Sequence, residues 1–189
     1  SSKNGVKASV LSFVPLNDNC EISQLTLTNG SSEDKKLSVF SYVEWCLWNA
    51  DDDMKNFQRN LSTGEVEVQD STIYHKTEYR ERRNHYAIYS VNTKIDGFDT
   101  SRDAFLGAYR GADSPEAVEN GKCTNSMASG WSPIASHQIN VDLAAGETKT
   151  FIFVLGYIEN PEDEKWESYG VINKTRAKEM LAKYQTDAQ

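Results

Sequence analysis

Three consecutive carboxylates and a Gln-Arg pair stand close together in "WNADDDMKNFQRNLSTGEVEV", residues 48–68. Asp51, Asp52 and Asp53 offer the hard oxygen ligands that a divalent cation prefers. A calcium-binding loop also requires a glycine at its turn and a later bidentate glutamate, and neither stands in register here. The pattern therefore favours a solvated acidic turn, and we predict no metal ligand.

Two other charged groups follow along the chain. Glu65 and Glu67 alternate on one face of a predicted strand, and a pair of acids is the machinery of glycoside hydrolysis, although the distance between the two carboxyl groups decides that role. An exposed strand face explains the pair equally simply. Three arginines at positions 80, 82 and 83 could capture phosphate, but Glu78 and Glu81 lie between and beside them, which favours an ion-paired turn.

The remaining chemistry-bearing types form no signature. His75, His85 and His137 lack the short spacings of a zinc site, so they are predicted to be ordinary polar strand residues. No GxSxG elbow, P-loop or GxGxxG motif occurs in the sequence, which removes the signatures of nucleophilic hydrolases, NTPases and dinucleotide enzymes. None of these motif classes therefore supplies a catalytic residue or a cofactor here.

Composition excludes two classes of partner. The chain of 189 residues has a formal charge of −8, whereas a nucleic-acid binder needs a clustered basic surface. Its longest apolar run, "FIFVL" at 151–155, is far shorter than the roughly 20 residues of a membrane helix. The three cysteines are odd in number and widely spaced, which is typical of reduced thiols and predicts a cytoplasmic protein.

Any functional site must be positioned by the regular elements of the chain. The sequence contains short runs rich in β-branched and aromatic residues, and turn residues separate these runs. They favour an all-β fold: a large antiparallel β-sandwich with long loops, followed by the start of a linker helix. The stretch "HQINVDLAAGETKTFIFVLGY", 137–157, predicts a hairpin with Gly146 at a position of positive φ. Two long segments, 48–65 and 94–136, are predicted to be irregular, and loops of that length usually serve a site or an interface.

The end of the chain changes character. "NKTRAKEMLAKYQ" places Ala177, Met180, Leu181 and Tyr184 at helical spacing behind an Asn173 cap. We predict a sandwich domain over 1–165 and a helical linker over 166–189 that leads towards a further, helical domain. Periodicity alone allows the alternative that this helix folds back over the sandwich.

Several long phrases carry a family resemblance: "VEWCLWNADDDMKNFQRNLSTGEVEV", "YHKTEYRERRNHYAIYSVN", "GFDTSRDAFLGAYRG" and "SGWSPIASHQINVDLAAGETKTFIFVLGYIENPEDEKWESYGVINK". Together they closely resemble the N-terminal region of the cellobiose phosphorylase family of inverting glycoside phosphorylases. The resemblance covers essentially the whole chain. It implies a β-sandwich, a helical linker and then an (α/α)6 barrel that supplies the general acid and most of the phosphate site.

The resemblance implies a role for one short motif. The Gln-Arg of "NFQR" matches family residues that help bind the acceptor-side glucose, so Gln58 and Arg59 are the expected substrate contacts. Their side chains suit sugar hydroxyls, since Arg presents a fixed fork of donors and Gln both donates and accepts. Without the resemblance, Arg59 would be interpreted as a partner of the nearby aspartates.

The implied reaction converts cellobiose and inorganic phosphate into α-glucose 1-phosphate and glucose, reversibly and without a metal or organic cofactor. The implied partners are a β-glucoside disaccharide, the chain's own barrel and a second copy in a homodimer. Two other classes remain open: a free-standing carbohydrate-binding module and a structural dimerisation domain. Related phosphorylases for cellodextrins, chitobiose or laminaribiose share the layout.

Overall fold

The structure is a computed structural model, and it describes residues 1–45, 64–77, 84–128, 130 and 133–185. Thirteen strands and three α-helices are present in these residues. In chain order they are β1 (Ser2–Lys3), β2 (Val6–Phe13), β3 (Cys20–Asn29), β4 (Lys35–Phe40), β5 (Val43–Glu44), β6 (Gly64–Gln69), β7 (Thr72–Thr77), β8 (His85–Val91), β9 (Gly97–Ser101), α1 (Arg102–Leu106), α2 (Glu116–Glu119), β10 (Pro133–Leu143), β11 (Thr148–Glu159), β12 (Trp166–Ser168), β13 (Val171–Ile172) and α3 (Thr175–Tyr184).

Seven strands form one antiparallel sheet in the order β1-β2-β3-β11-β8-β7-β6. A second sheet is built around β10, with β4 and β5 along one edge and β9 along the other. The strands alternate in side-chain direction, so each sheet presents one face to the other. The result is the predicted antiparallel sandwich.

The core between the sheets consists of aliphatic and aromatic side chains from both inner faces. It comprises Leu27, Val66, Ile73, Tyr89, Val91, Ala135, Ile139, Val141, Leu143, Phe151 and Phe153. Two buried histidines, His75 and His137, also lie on these inner faces. This core fixes the register of the strands that contribute to it, because a slip of one residue would turn their apolar side chains to solvent.

Further layers cover the outer faces. Helix α3 lies on the outer face of the large sheet, where Ala177, Met180 and Leu181 are buried against a cluster that includes Ile88 and Val154. The predicted apolar stripe is therefore confirmed, and this chain's own sandwich covers it. In the described residues, helix α3 thus folds back over the sandwich, as the alternative prediction stated. The domain boundary at residue 165 and the barrel beyond it stay predictions.

The predicted Asn173 cap is wrong by one residue, because the helix begins at Thr175 and its N-cap is Lys174, which makes no side-chain capping hydrogen bond. The side-chain Oδ1 of Asn173, one residue before the cap, accepts a hydrogen bond from the backbone N–H of Thr175 at 3.0 Å. Helices α1 and α2 form a smaller layer on the outer face of the second sheet, around Phe105, Leu106 and Cys123. No helix in the described part of the chain is long and apolar enough to cross a bilayer.

Two predictions of local structure are wrong. Residues 137–157 do not form a hairpin, because β10 and β11 belong to different sheets and the turn between them connects the layers. Gly146 does have the positive φ expected, +76°. The segment 94–136 is not irregular, since it contains β9, α1, α2 and the start of β10. Segment 166–189, the predicted helical linker, contains β12 and β13 before helix α3.

Candidate functional site

The predicted substrate contacts lie outside the described residues. Gln58 and Arg59 fall in the range 46–63, together with the three aspartates, and the arginines at 80, 82 and 83 fall in 78–83. What the structure does describe is the residues at which each of these ranges leaves and rejoins the sandwich. These flanking residues are part of the described sandwich.

The two ends of range 46–63 meet in the inter-sheet core. Trp45, which precedes the range, stacks on the imidazole of His75 with ring centroids 5.4 Å apart and planes 11° from parallel. His75 is in turn the register partner of Val66, two residues after the start of β6. The residues that flank the Gln-Arg motif are therefore held at one point by packing and by strand pairing.

Two other ranges start from the same end of the sandwich. Thr77, the last residue before 78–83, is the register partner of Gly64. Pro133 follows 131–132 and precedes Ile134, which pairs with Glu44. We call this end, defined by Glu44, Trp45, Gly64, Thr77 and Pro133, the Trp45 end. The structure thus brings residues that flank the ranges 46–63, 78–83 and 131–132 to one end of the fold.

A cavity of about 710 Å³ opens at the Trp45 end. Its floor is the inner face of the large sheet at Ala87 and Leu155–Tyr157, and Trp45 forms one wall. The turn after β2 forms its rim, where Val14 and Leu16 are 68% and 101% exposed. Polar groups also line it, namely Asp18, Asn19, Glu21 and Glu44. Aromatic and apolar surface beside carboxylates and an amide is the mixture that binds sugars, because a sugar has apolar faces and hydroxyl edges.

His75 contributes to this end as a neutral ring. It is buried, and burial lowers its pKa from 6.5 to about 4, so the imidazole is uncharged at neutral pH. Neither ring nitrogen has a hydrogen-bond partner among the described residues. The ring therefore supports Trp45 by stacking. A role as general base is not indicated, because the proton would have to enter an apolar core.

The carboxylate of Glu44 is held by two neighbours that sequence analysis missed. Tyr42 donates its hydroxyl to Glu44 Oε1 at 2.6 Å, and Arg102 donates Nε to the same oxygen at 3.0 Å. Burial, and then the bond to Glu44, raise the pKa of Tyr42, so the phenol stays protonated and donates. Arg102 is 58 positions from Glu44 along the chain. No local pattern signals such a pair; only the pairing of β9 and β5 with β10 brings it together.

Glu65 and Glu67 are not a catalytic pair. Lys76 Nζ lies 2.9 Å from Glu65 and 3.0 Å from Glu67, and Lys174 Nζ lies 2.6 Å from Glu67. Glu67 also accepts the backbone N–H of Ile172 at 3.0 Å. Burial opposes ionisation of Glu67, but these bonds outweigh it and lower its pKa. A carboxylate held ionised in this way cannot serve as a proton donor at neutral pH.

The other histidines are structural. His137 is buried on β10, stacks on Tyr89 and shares a hydrogen bond with Ser41, while His85 lies beside Tyr157 and Glu159. Cys20 and Cys123 are buried free thiols. Within the residues that the structure describes, no three His, Cys, Asp or Glu side chains are grouped so that they could hold a metal ion.

Comparison with known proteins identifies the family. A family model described as "Glycosyl hydrolase 94, supersandwich domain" matches residues 1–187. An N,N'-diacetylchitobiose phosphorylase of Vibrio proteolyticus is 30% identical over 81% of this chain and 19% of its own length. A second protein of that name, from Vibrio furnissii, is 27% identical over 98% of this chain and 22% of its own.

A solabiose phosphorylase of Paenibacillus borealis is 28% identical over 84% of this chain and 21% of its own length. This chain therefore spans only about a fifth of the curated relatives named here. The long phrases that suggested glycoside phosphorylases lie within the region that the family model matches. The chain belongs to the glycosyl hydrolase 94 family, as its supersandwich domain.

Proposed function

We propose that this chain is the N-terminal part of a longer inverting disaccharide phosphorylase and that it forms one side of the acceptor-sugar site. The single observation that carries the proposal is the family match over residues 1–187. Gln58 and Arg59 are the proposed acceptor contacts. The location of their flanking residues at the Trp45 end, beside a cavity with aromatic and polar walls, supports this assignment.

The proposed reaction is phosphorolysis of a β-linked disaccharide. With cellobiose, phosphate attacks the anomeric carbon while a carboxylic acid protonates the leaving oxygen, giving α-glucose 1-phosphate and glucose. One displacement inverts the configuration, and phosphate takes the place that water has in inverting hydrolases. The general acid and most of the phosphate site are proposed to lie in the barrel. This chain supplies acceptor contacts, and the reaction uses no metal or organic cofactor.

A second substrate is favoured by the relatives. Two of them are named for N,N'-diacetylchitobiose, which differs from cellobiose by an acetamido group on each ring. We propose cellobiose as the substrate, because the sequence phrases resemble cellobiose phosphorylases, and diacetylchitobiose as the second candidate. The longer protein is proposed to be a homodimer. It is also proposed to be cytoplasmic, which the free buried thiols at Cys20 and Cys123 support.

Kinetics of the longer protein test the proposal. Arg59→Ala removes a charge-assisted donor, whose loss costs about 1.5–3 kcal/mol, or about ten- to a hundredfold. We expect this loss in the synthetic direction as a raised KM for the acceptor sugar, with little change in the KM for the sugar 1-phosphate. Lys36→Ala is the control, because Lys36 is a 91% exposed cation at the opposite end of the sandwich. Equal effects of both changes, or none of Arg59→Ala, would remove Arg59 from the site.

The isolated chain provides a second measurement. It should release no sugar 1-phosphate from cellobiose and phosphate, and it should bind cellobiose more weakly than about millimolar, since half a site buries too little of a ligand. Calorimetric detection of tight cellobiose binding would support a free-standing carbohydrate-binding module instead.

A further inference from the structure

Trp45 lines the cavity at the Trp45 end without the support of strand pairing. Strand β5 ends at Glu44, whose register partner is Ile134. Trp45 comes directly after this pair and has no strand partner among the described residues. Its half-buried indole nevertheless forms one wall of the cavity of about 710 Å³. A side-chain contact is therefore needed to hold the ring in place.

His75 supplies that contact from a rigid position. It lies inside β7, where it pairs with Val66 on one side and with Ala87 on the other. Its ring is buried, and it stacks on the indole of Trp45 with ring centroids 5.4 Å apart and planes 11° from parallel. Strand pairing on both sides and a close-packed core leave the imidazole little freedom. His75 therefore fixes the orientation of the indole that rests on it.

The imidazole gives this support through its flat face. Neither ring nitrogen of His75 has a hydrogen-bond partner among the described residues, so no polar contact of the ring is known to contribute. Aromatic rings favour offset parallel stacking, and any planar ring of similar size at this position can provide it. A branched aliphatic side chain fills the same volume but offers no flat face. Phenylalanine should thus replace His75 in this role, and leucine should not.

The cavity contacts the part of the indole that His75 leaves uncovered. Trp45 and Tyr157 line the cavity, and His75 does not. The hydroxyl of Tyr157 shares a hydrogen bond with His85, whereas the indole of Trp45 stands beside the carboxylate of Glu44. An aromatic wall next to a polar group suits a pyranose, because its C–H face can stack on the ring while its hydroxyls form hydrogen bonds.

We propose that the acceptor sugar stacks on Trp45 and that His75 is the positioning residue that holds the indole for it. This inference rests on the proposed function, since it places the acceptor ring at the Trp45 end. It adds an apolar contact to the polar contacts proposed for Gln58 and Arg59. The ligand is a neutral pyranose, namely glucose, or N-acetylglucosamine for the second substrate candidate. The carboxylates that also line the cavity disfavour an anion such as phosphate.

Calorimetry of the longer protein with glucose, N-acetylglucosamine and inorganic phosphate tests the proposal. Trp45→Leu removes the aromatic face and should weaken binding of the preferred sugar about tenfold. Trp45→Phe keeps a smaller ring and should lose less. The affinity for phosphate should stay unchanged in both variants, because the phosphate site is proposed to lie in the barrel. An equal fall in the affinities for sugar and phosphate would mean general damage and would overturn the proposal.

The positioning role is tested by His75→Leu and its rescue. His75→Leu should weaken sugar binding about threefold, because the indole loses its flat support, and His75→Phe should restore the wild-type affinity. His137→Leu is the matched control. His137 is an equally buried histidine of the inter-sheet core that stacks on Tyr89, with ring centroids 5.0 Å apart, and it does not line the cavity. Melting temperatures establish that each variant is folded at the temperature of the titration.

The proposal is overturned if the wild type binds neither sugar, if Trp45→Leu leaves the sugar affinity unchanged, if His75→Leu and His137→Leu weaken it equally, or if His75→Phe fails to restore it. Binding needs no turnover, so this test is separate from the test of the proposed function. An active phosphorylase whose sugar affinity is independent of Trp45 would remove this inference alone. An inactive protein whose sugar affinity depends on Trp45 would remove the proposed reaction and leave the stacking contact.

Discussion

The two faces of the large sheet bury polar groups in opposite ways. The outer face, near helix α3, holds the side chains of Lys76 and Lys174, 5% and 4% exposed, and pairs both with Glu67. The inner face holds His75, whose ring nitrogens have no partner among the described residues. A buried charge requires an opposite charge, whereas a buried imidazole can lose its proton instead. The buried charges of the outer face are therefore stabilised by ion pairs, whereas the buried histidine of the inner face is accommodated in its uncharged form.

The comparison predicts that the largest loss of stability follows removal of Glu67. Glu67→Ala would leave Lys174 with the Ile172 carbonyl oxygen, at 3.2 Å, and no carboxylate within the described residues. Breaking a buried pair in this way costs about 3–5 kcal/mol. Denaturant unfolding of the isolated chain measures it. Glu65→Ala is the control: Glu65 is 68% exposed and Lys76 keeps Glu67, so the cost should not exceed about 1 kcal/mol. Similar losses in both variants would contradict the contrast between a buried and a surface pair.

The inner face should respond to pH at values where the outer face does not. The pKa of His75 is about 4 in the folded chain and 6.5 in the unfolded chain, so the unfolded chain takes up the proton first as the pH falls. Stability should therefore fall between pH 6.5 and about 4, by about 3 kcal/mol from this residue. Glu67 has a pKa lowered from 4.5, so its contribution is complete above that pH and is lost only as the pH falls further.

His75→Phe tests that assignment. Phenylalanine keeps an aromatic ring against Trp45 and removes the titration, with no hydrogen bond to lose among the described residues. The free energy of unfolding, measured from pH 7 downwards, should become flatter in the variant. His137, whose pKa is lowered to about 3 by burial, adds to the slope in both proteins. An unchanged slope would therefore contradict the lowered pKa of His75.

The smallest effect is expected at the rim of the outer face. Asp18 accepts hydrogen bonds from Lys183 and Tyr184 near the end of α3, and Lys183 is 56% exposed. The bond from Tyr184 and then that from Lys183 lower the pKa of Asp18. Because solvent and salt screen such a pair, Asp18→Asn should cost no more than about 1 kcal/mol, and less at high salt. A loss of stability as large as that of Glu67→Ala would contradict the prediction that the more exposed ion pair contributes less stability than the buried one.

Local pattern anticipated much of the secondary structure. Short runs of β-branched and aromatic residues predicted the antiparallel sandwich, and the spacing of Ala177, Met180 and Leu181 predicted the buried stripe of α3. The failures have a common cause. The stretch 137–157 resembles a hairpin because strand and turn residues follow each other, yet sequence does not say whether the second strand returns to the same sheet. In 94–136, short elements stabilised by tertiary packing, such as α1, lack a long periodic signal.

The site divides along the same line. The sequence by itself determined the family, through phrases spread over the whole chain, and it nominated Gln58 and Arg59, whose positions fall outside the described residues. Only the tertiary structure decided that Trp45 stacks on His75, that Arg102 reaches Glu44, and that Glu67 belongs to an ion-pair network. These contacts join residues that lie 30 to more than 100 positions apart in the chain. Side-chain type and local spacing fix which face of a strand is apolar, but which distant charge or ring meets a side chain depends on how the sheets pair and stack.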